Sequence, residues 1–280
     1  MRRLSSSVET SRSDLVDTAG TGGGPSTFNI STAAALVAAG SGCAVAKHGN
    51  RSSTSRSGSA DLLEALGVNI DLDPAGVARC VEEVGFGFMF APRHHAAMKH
   101  VGPVRKELAV RTIFNFLGPL TNPAGATRQL LGVADRRYQE TIAEALVGLG
   151  CERALVVNSD DGVDEISVAD RTRVIEVAGG GTEEWFVTPE DLGIERVELG
   201  AIAGASPEEN AAVVRAVLAG EAGPARDVVV LNAGAAILAA GAAHDLGAGV
   251  ERARETIDSG AAQGVLERLA ALTRELAPPL

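Results

Sequence analysis

The stretch Lys47-His48-Gly49-Asn50-Arg51-Ser52-Ser53-Thr54-Ser55-Arg56-Ser57-Gly58-Ser59 sets three fixed cations among hydroxyl side chains, on a loop leading into an expected helix at Ala60 to Leu66. Charge-assisted donors at this density suit a polyanion such as phosphate or pyrophosphate, although a charged loop by itself is as often a solvated surface. Its surroundings favour the anion site. From Thr18 to Ala60 there is no Asp or Glu, although 36 acidic residues in 280 would place roughly five or six there.

A second anion-facing segment lies in the same acid-free stretch, Gly20-Thr21-Gly22-Gly23-Gly24-Pro25-Ser26-Thr27-Phe28-Asn29-Ile30-Ser31-Thr32. Glycines let the backbone approach a ligand closely. Asn29, Ser31 and Thr32 stand where the apolar run Ala33 to Ala39 begins as a helix, and a helix start attracts anions. A glycine turn before an ordinary capped helix explains the capping residues but not their pairing with a cationic loop. Pro25 occupies the last glycine of a GxGxxG count and no Gly-Lys-Ser/Thr follows, so a dinucleotide fold and a P-loop NTPase both fit poorly.

A third loop, Asn158-Ser159-Asp160-Asp161-Gly162-Val163-Asp164-Glu165, carries four carboxylates. Hard carboxylates suit Mg²⁺, which bridges to substrate phosphates while keeping most of its waters. An acidic turn alone is usually just solvated, and the spacing is not that of an EF-hand. Beside a pyrophosphate site the metal reading is favoured.

These loops need a frame. Cys43 to Ala46, Val68 to Ile70, Phe86 to Phe90, Ala154 to Val157, Arg173 to Val177 and Val228 to Leu231 read as strands. Helices are expected at Ile30 to Ala39, Ser59 to Leu66, Pro74 to Val84, Tyr138 to Leu149 and Pro207 to Leu218, with Asp73-Pro74 and Ser206-Pro207-Glu208-Glu209 as starts. The alternation predicts an α/β fold with a mainly parallel sheet flanked by helices, and ligands then bind beyond the strands' carboxyl ends.

Composition sets further bounds. With 45% apolar but only 3% aromatic residues, the core must be built from Ala, Val and Leu. A net charge of −11 argues against nucleic acid and against an anionic membrane as partners. Cys43, Cys80 and Cys151 are odd in number and far apart, which fits reduced thiols and a cytoplasmic protein. No apolar segment follows the N-terminal Arg2 and Arg3, and Val228 to Ala243 is too short to span a bilayer.

Together Gly20 to Gly23, Thr27 to Thr32, Lys47 to Arg51 with Ser55, Gly58 to Asp61, Arg111 to Asn115, Leu117 to Pro123 and Asp164 to Ser167 resemble the anthranilate phosphoribosyltransferase family. The match runs in order from about Asp17 to the C-terminus. It implies transfer of the phosphoribosyl group of phosphoribosyl pyrophosphate (PRPP) to the amine of anthranilate, in tryptophan biosynthesis. It also implies PRPP contacts at Gly20, Gly23, Thr27, Asn29, Ile30, Ser31, Thr32, Lys47, His48, Gly49, Asn50, Arg51, Ser52, Ser53, Thr54, Ser55 and Ser59. Mg²⁺ would be held by Ser31, Asp164 and Glu165, and anthranilate by Gly20, Asn50, His95, Arg105 and Pro119. No covalent or general-base residue is implied, since an arylamine is already unprotonated at neutral pH.

A second acid-free stretch, Val84 to Lys106, agrees with an acceptor bearing a carboxylate, and Arg105 is its expected partner. Zinc fits poorly there, because His95 and His100 would not share a helical face. Two departures stand out. The family's Gly-Thr-Gly-Gly-Asp-Gly turn lacks its Asp here, so Gly24-Pro25 follows Gly23 directly. Residues 1–16 are also expected to be only a short segment where the family has helices of a small α domain, which help form its homodimer. Residues 17–280 then make the α/β domain, with about 95–117 the remnant of that small domain. A pyrimidine-nucleoside phosphorylase-like enzyme and an inactive ligand-binding paralogue are the alternatives.

Overall fold

The computed structural model describes residues 5–52, 56–95 and 113–277. Its frame is a seven-stranded sheet of β1 (Leu15–Gly20), β2 (Ala44–Gly49), β3 (Phe86–Phe90), β4 (Arg128–Gly132), β5 (Arg153–Ser159), β6 (Thr172–Ala178) and β7 (Gly181–Val187), in the order β3-β2-β1-β4-β5-β6-β7. The first five are parallel, with Val16 opposite Val45 and Thr18 opposite Leu130. The last two add as an antiparallel hairpin, turned through Gly179 and Gly180, whose positive φ values of 58° and 80° suit a tight turn.

Helices cover both faces, so the central strands are apolar on both sides. Side-chain alternation sends Leu130 and Leu155 to one core, and Leu131 and Val156 to another. The smaller core packs under α6 (Gln139–Gly148), with Ile142, Ala143 and Leu146 buried. The larger holds α1 (Ile30–Gly40), α2 (Ser59–Ala65), α3 (Pro74–Val84), α7 (Pro207–Leu218), α8 (Pro224–Ala239), α9 (Leu246–Asp258) and α10 (Ala261–Glu275). Short turns α4 (Ala91–His94) and α5 (Phe114–Leu117) flank the residues outside the description. As composition required, this core is mostly Ala, Val and Leu.

Both expected helix starts are present. The Asp73 carboxylate accepts from Gly76 N at 2.8 Å, and Ser206 with Glu209 forms a reciprocal capping box. Two expected strands are not. Val68 to Ile70 only links α2 to α3, with Val68 N closing onto Leu63 O. Val228 to Leu231 lies inside α8, whose residues from Val228 to Ala239 are all buried, and a helix apolar all round cannot be told from a core strand by periodicity.

Small residues let α8 and α9 approach closely. A Cβ on Gly234 would stand 2.6 Å from Val250 N, and one on Gly249 would strike Gly234 O. Gly249→Ala is therefore expected to destabilise the fold by about 1–3 kcal/mol in urea unfolding, the usual cost of overpacking; an unchanged midpoint would mean the helices separate freely. Among the described residues no helix is long and apolar enough to cross a membrane.

Candidate functional site at the carboxyl edge of the sheet

The parallel strands β1, β2, β4 and β5 end together, and the loops leaving them meet. After β1 the chain turns through Gly22 and Gly23, at φ 62° and 92°, a region closed to most side chains. Thr21 N donates to Gly132 O at 2.9 Å, and Thr21 Oγ1 accepts from Ala134 N at 3.1 Å, which seats the turn on the end of β4. Gly22 N donates to Asp164 Oδ2 at 3.0 Å, and a Cβ on Gly20 would lie 2.6 Å from that oxygen. The glycine turn and the acidic loop, 142 residues apart, are thus one structure. Gly24 fits closely as well, since a Cβ there would come within 2.6 Å of Gly162 O.

Lys47, at the end of β2, is 2% exposed. Its ammonium donates to Thr18 O, to Thr18 Oγ1 at 3.0 Å and to Ser31 Oγ at 3.4 Å, so its three N–H groups are all used within the protein. It therefore supplies a buried positive field and fixes the first turn of α1 against β1. Fully buried Asp17 lies beneath it, accepting from His48 N at 3.1 Å and Asn122 Nδ2 at 2.8 Å; Asn122 also donates to Ala46 O at 2.8 Å. Burial pushes the Asp17 carboxyl up and the Lys47 ammonium down, and their mutual attraction opposes both shifts.

Of the four carboxylates in the third loop, two are committed elsewhere. Asp160 pairs with Arg136 at 2.5 Å and Arg171 at 2.9 Å, and Asp161 accepts from Ser167 Oγ at 2.6 Å. Asp164 accepts from Gly22 N, and Glu165 from Ser31 N in the first turn of α1. Glu165 is half-buried as a residue, but its carboxylate is closely surrounded. Burial, then the charge of Asp164, pushes it up to about 8, against Lys47 and a hydrogen bond from Ser31 N. Two carboxylates forced together beside Ser31, with the nearby ammonium already engaged, are chemically suited to a hard divalent cation.

This gives a pH signature. From the ordinary 4.5 up to about 8, native Glu165 holds a proton that the unfolded chain has released, so its contribution to stability falls as pH rises. His48, held down at about 3 mainly by burial, acts oppositely, but its contribution is complete above its ordinary 6.5. Between pH 6.5 and 8, in chelator, wild type should therefore lose thermal stability relative to Glu165→Gln as pH rises, and Mg²⁺ should narrow the difference. The same slope in both proteins would contradict this.

The cationic loop is pinned at its ends. Asp61 Oδ2 accepts from Gly58 N at 2.9 Å and Ser52 N at 3.3 Å, and Asn50 O accepts from Ser59 Oγ at 3.2 Å. Gly49 packs where a Cβ would run into Ser59 Oγ. Arg51, expected among the anion contacts, pairs along α2 with Asp61 at 2.7 Å and Glu64 at 2.5 Å. Ser53, Thr54 and Ser55 lie outside the described residues, as does Arg105.

In the glycine segment Ile30 is a core residue at 1% exposure, leaving only its backbone to face a ligand. Thr27 bridges to Ala203, and the buried Thr32 Oγ1 has no hydrogen-bond partner among the described residues. Asn29 does not cap α1; its amide turns to Ser57 and Asn210. Gly23 and Asn50 remain exposed.

On the acceptor side, His48 meets His95 edge to face with ring centroids 5.0 Å apart, and its Nδ1 lies 3.2 Å from Gly118 O, next to Pro119. Both Nε2 atoms are buried and unpartnered among the described residues. His48 thus packs against His95 and next to Pro119, on the strand that leads into the cationic loop. Asp17, Thr18 and Asn122 escaped the sequence reading, because their partners lie on other strands and leave no local spacing.

Known proteins share both the sequence and the fold of this chain. Residues 12–263 match the model of the glycosyl transferase family, a/b domain. The chain is 59% identical over 267 residues to anthranilate phosphoribosyltransferase of Thermomicrobium roseum, covering 94% of this chain and 77% of that protein. It is 55% identical to that of Rubrobacter xylanophilus, covering 99% and 81%. The crystal structure of the Thermus thermophilus enzyme is similar with a TM-score of 0.93 at 51% identity, covering 98% of this chain and 82% of that one. The Saccharomyces cerevisiae enzyme in complex with PRPP and Mg has a TM-score of 0.89 at 32% identity, covering 98% and 77%. By sequence and by fold, the chain belongs to the anthranilate phosphoribosyltransferase family.

Proposed function

We propose that the carboxyl edge of β1, β2, β4 and β5 binds PRPP with Mg²⁺ and presents its ribose carbon C1 to the amine of anthranilate, as the family's activity requires. The observation that carries this reading is the hydrogen bond from Gly22 N to Asp164 Oδ2, which makes the anion turn and the carboxylate pair a single site. Ser31, Asp164 and Glu165 would hold Mg²⁺, which when bound supplies positive charge against the departing pyrophosphate. The glycine turn offers backbone N–H groups and room for close approach, and Lys47 adds a buried positive field.

Anthranilate is assigned to the side of His48, His95 and Pro119, with Asn50 and Gly20 between the two substrates. Burial keeps His48 neutral at physiological pH, so it offers an uncharged ring surface to an aromatic acceptor. The attacking arylamine carries a free lone pair, and rate enhancement comes from alignment and charge stabilisation rather than from a strong base. Arg105 is assigned to the anthranilate carboxylate on the family resemblance. The assay is direct: the purified chain with Mg²⁺, PRPP and anthranilate should consume anthranilate fluorescence and release pyrophosphate. No loss with both substrates present would reject the reading, and sedimentation would test the homodimer that the resemblance implies.

A further inference from the structure

We propose that Asn210, in the first turn of α7, is a positioning residue for the PRPP site: it fixes Asn29, and through it the spacing between the glycine segment and the closing end of the cationic loop. The inference rests on the site reading above.

Asn210 is 2% exposed and 181 residues from Asn29 in sequence. Its Oδ1 accepts from Ala205 N at 2.9 Å, and its Nδ2 donates to Asn29 Oδ1 at 2.9 Å. Asn29 Oδ1 also accepts from Ser57 Oγ at 2.9 Å, and Asn29 Nδ2 donates to Ser57 O at 3.1 Å. Both lone pairs of that oxygen are thereby filled, which fixes the plane of the amide. Ser57 is itself buried, at the end of the cationic loop where the chain returns to Gly58.

The backbone on either side is tied to the same support. Phe28 N donates to Ile202 O at 3.2 Å and Gly204 N to Ser26 O at 3.0 Å, around the bridge between Thr27 and Ala203. A Cβ on Gly204 would strike Thr27 O. The segment from Ile202 to Asn210 thus backs the exit of the glycine turn. Ser206 and Glu209 already cap α7, so the Asn210 Nδ2 bond is not needed to start its own helix. That bond serves Asn29 alone. Buried polar networks with every member satisfied hold one arrangement, which is what two loops clasping one polyanion require.

The test uses the full chain. Asn210→Asp keeps an oxygen for Ala205 N but sets another against Asn29 Oδ1; Asn210→Ala removes both bonds; Ser57→Ala removes the second donor to the same oxygen. Each should raise the KM for PRPP at saturating Mg²⁺, and the calorimetric Kd for PRPP, by about tenfold, the loss expected for one positioning hydrogen bond. The KM for anthranilate should stay within about twofold. The Ser57→Ala, Asn210→Ala pair should fall short of the product of the single effects, because both act through Asn29. Unchanged PRPP parameters in folded Asn210→Asp, equal effects on both substrates, or strictly multiplicative effects would overturn the proposal. If wild-type protein fails to bind PRPP in the calorimeter, the site reading itself falls; if wild type binds and the variants bind equally well, only the role of Asn210 falls.

Discussion

An Asp164→Asn, Glu165→Gln protein should lose Mg²⁺-stimulated turnover by about 10²- to 10³-fold, the several kcal/mol that a metal ion contributes to stabilising transition-state charge. It should also unfold at a higher temperature than wild type in chelator at pH 8, because Glu165 then ionises in a surrounded position beside Asp164 only at a cost to the fold. Activity and stability would move in opposite directions, which separates loss of a ligand set from loss of structure. Anthranilate binding should persist, since the acceptor is assigned to residues other than Asp164 and Glu165. Full activity with the same Mg²⁺ response would remove both carboxylates from the metal site.

The loops proposed to do the chemistry are legible as local patterns: an acid-free run, a glycine turn, a carboxylate cluster after a strand. What the sequence hid is how those loops are held. Asp17 carries no local sign of burial, yet it is fully buried because Asn122, 105 positions away, and the His48 backbone satisfy it. Asn232 sits within an apolar helix, yet it accepts from Ile166 N and donates to Ile166 O, both at 2.9 Å, and Ile166 is next in sequence to Asp164 and Glu165. Arg51 reads as a ligand contact in an acid-free stretch, and the ion pairs it makes with Asp61 and Glu64 lie just beyond that stretch. Local spacing shows which residues could act; partners brought in by the parallel sheet decide which are free to do so.

The same reasoning applies most sharply to Lys47. Lys47→Met keeps about the volume of the side chain but leaves buried Asp17 without the favourable field of that ammonium, and each buried hydrogen-bonding group it strands costs about 1–3 kcal/mol. The substitution also releases Thr18 and Ser31, and with Ser31 one expected Mg²⁺ ligand. Expected results are a large fall in the urea midpoint and loss of PRPP binding in calorimetry. Adding Asp17→Asn removes the stranded charge, so the double variant should be more stable than Lys47→Met alone, although one amide would still face Asn122 Nδ2 unfavourably. It should not regain PRPP binding, because the positive field is gone. A Lys47→Met protein with wild-type stability would show that the pair is already neutral in the fold, and one with wild-type PRPP affinity would show that the buried ammonium supports structure alone.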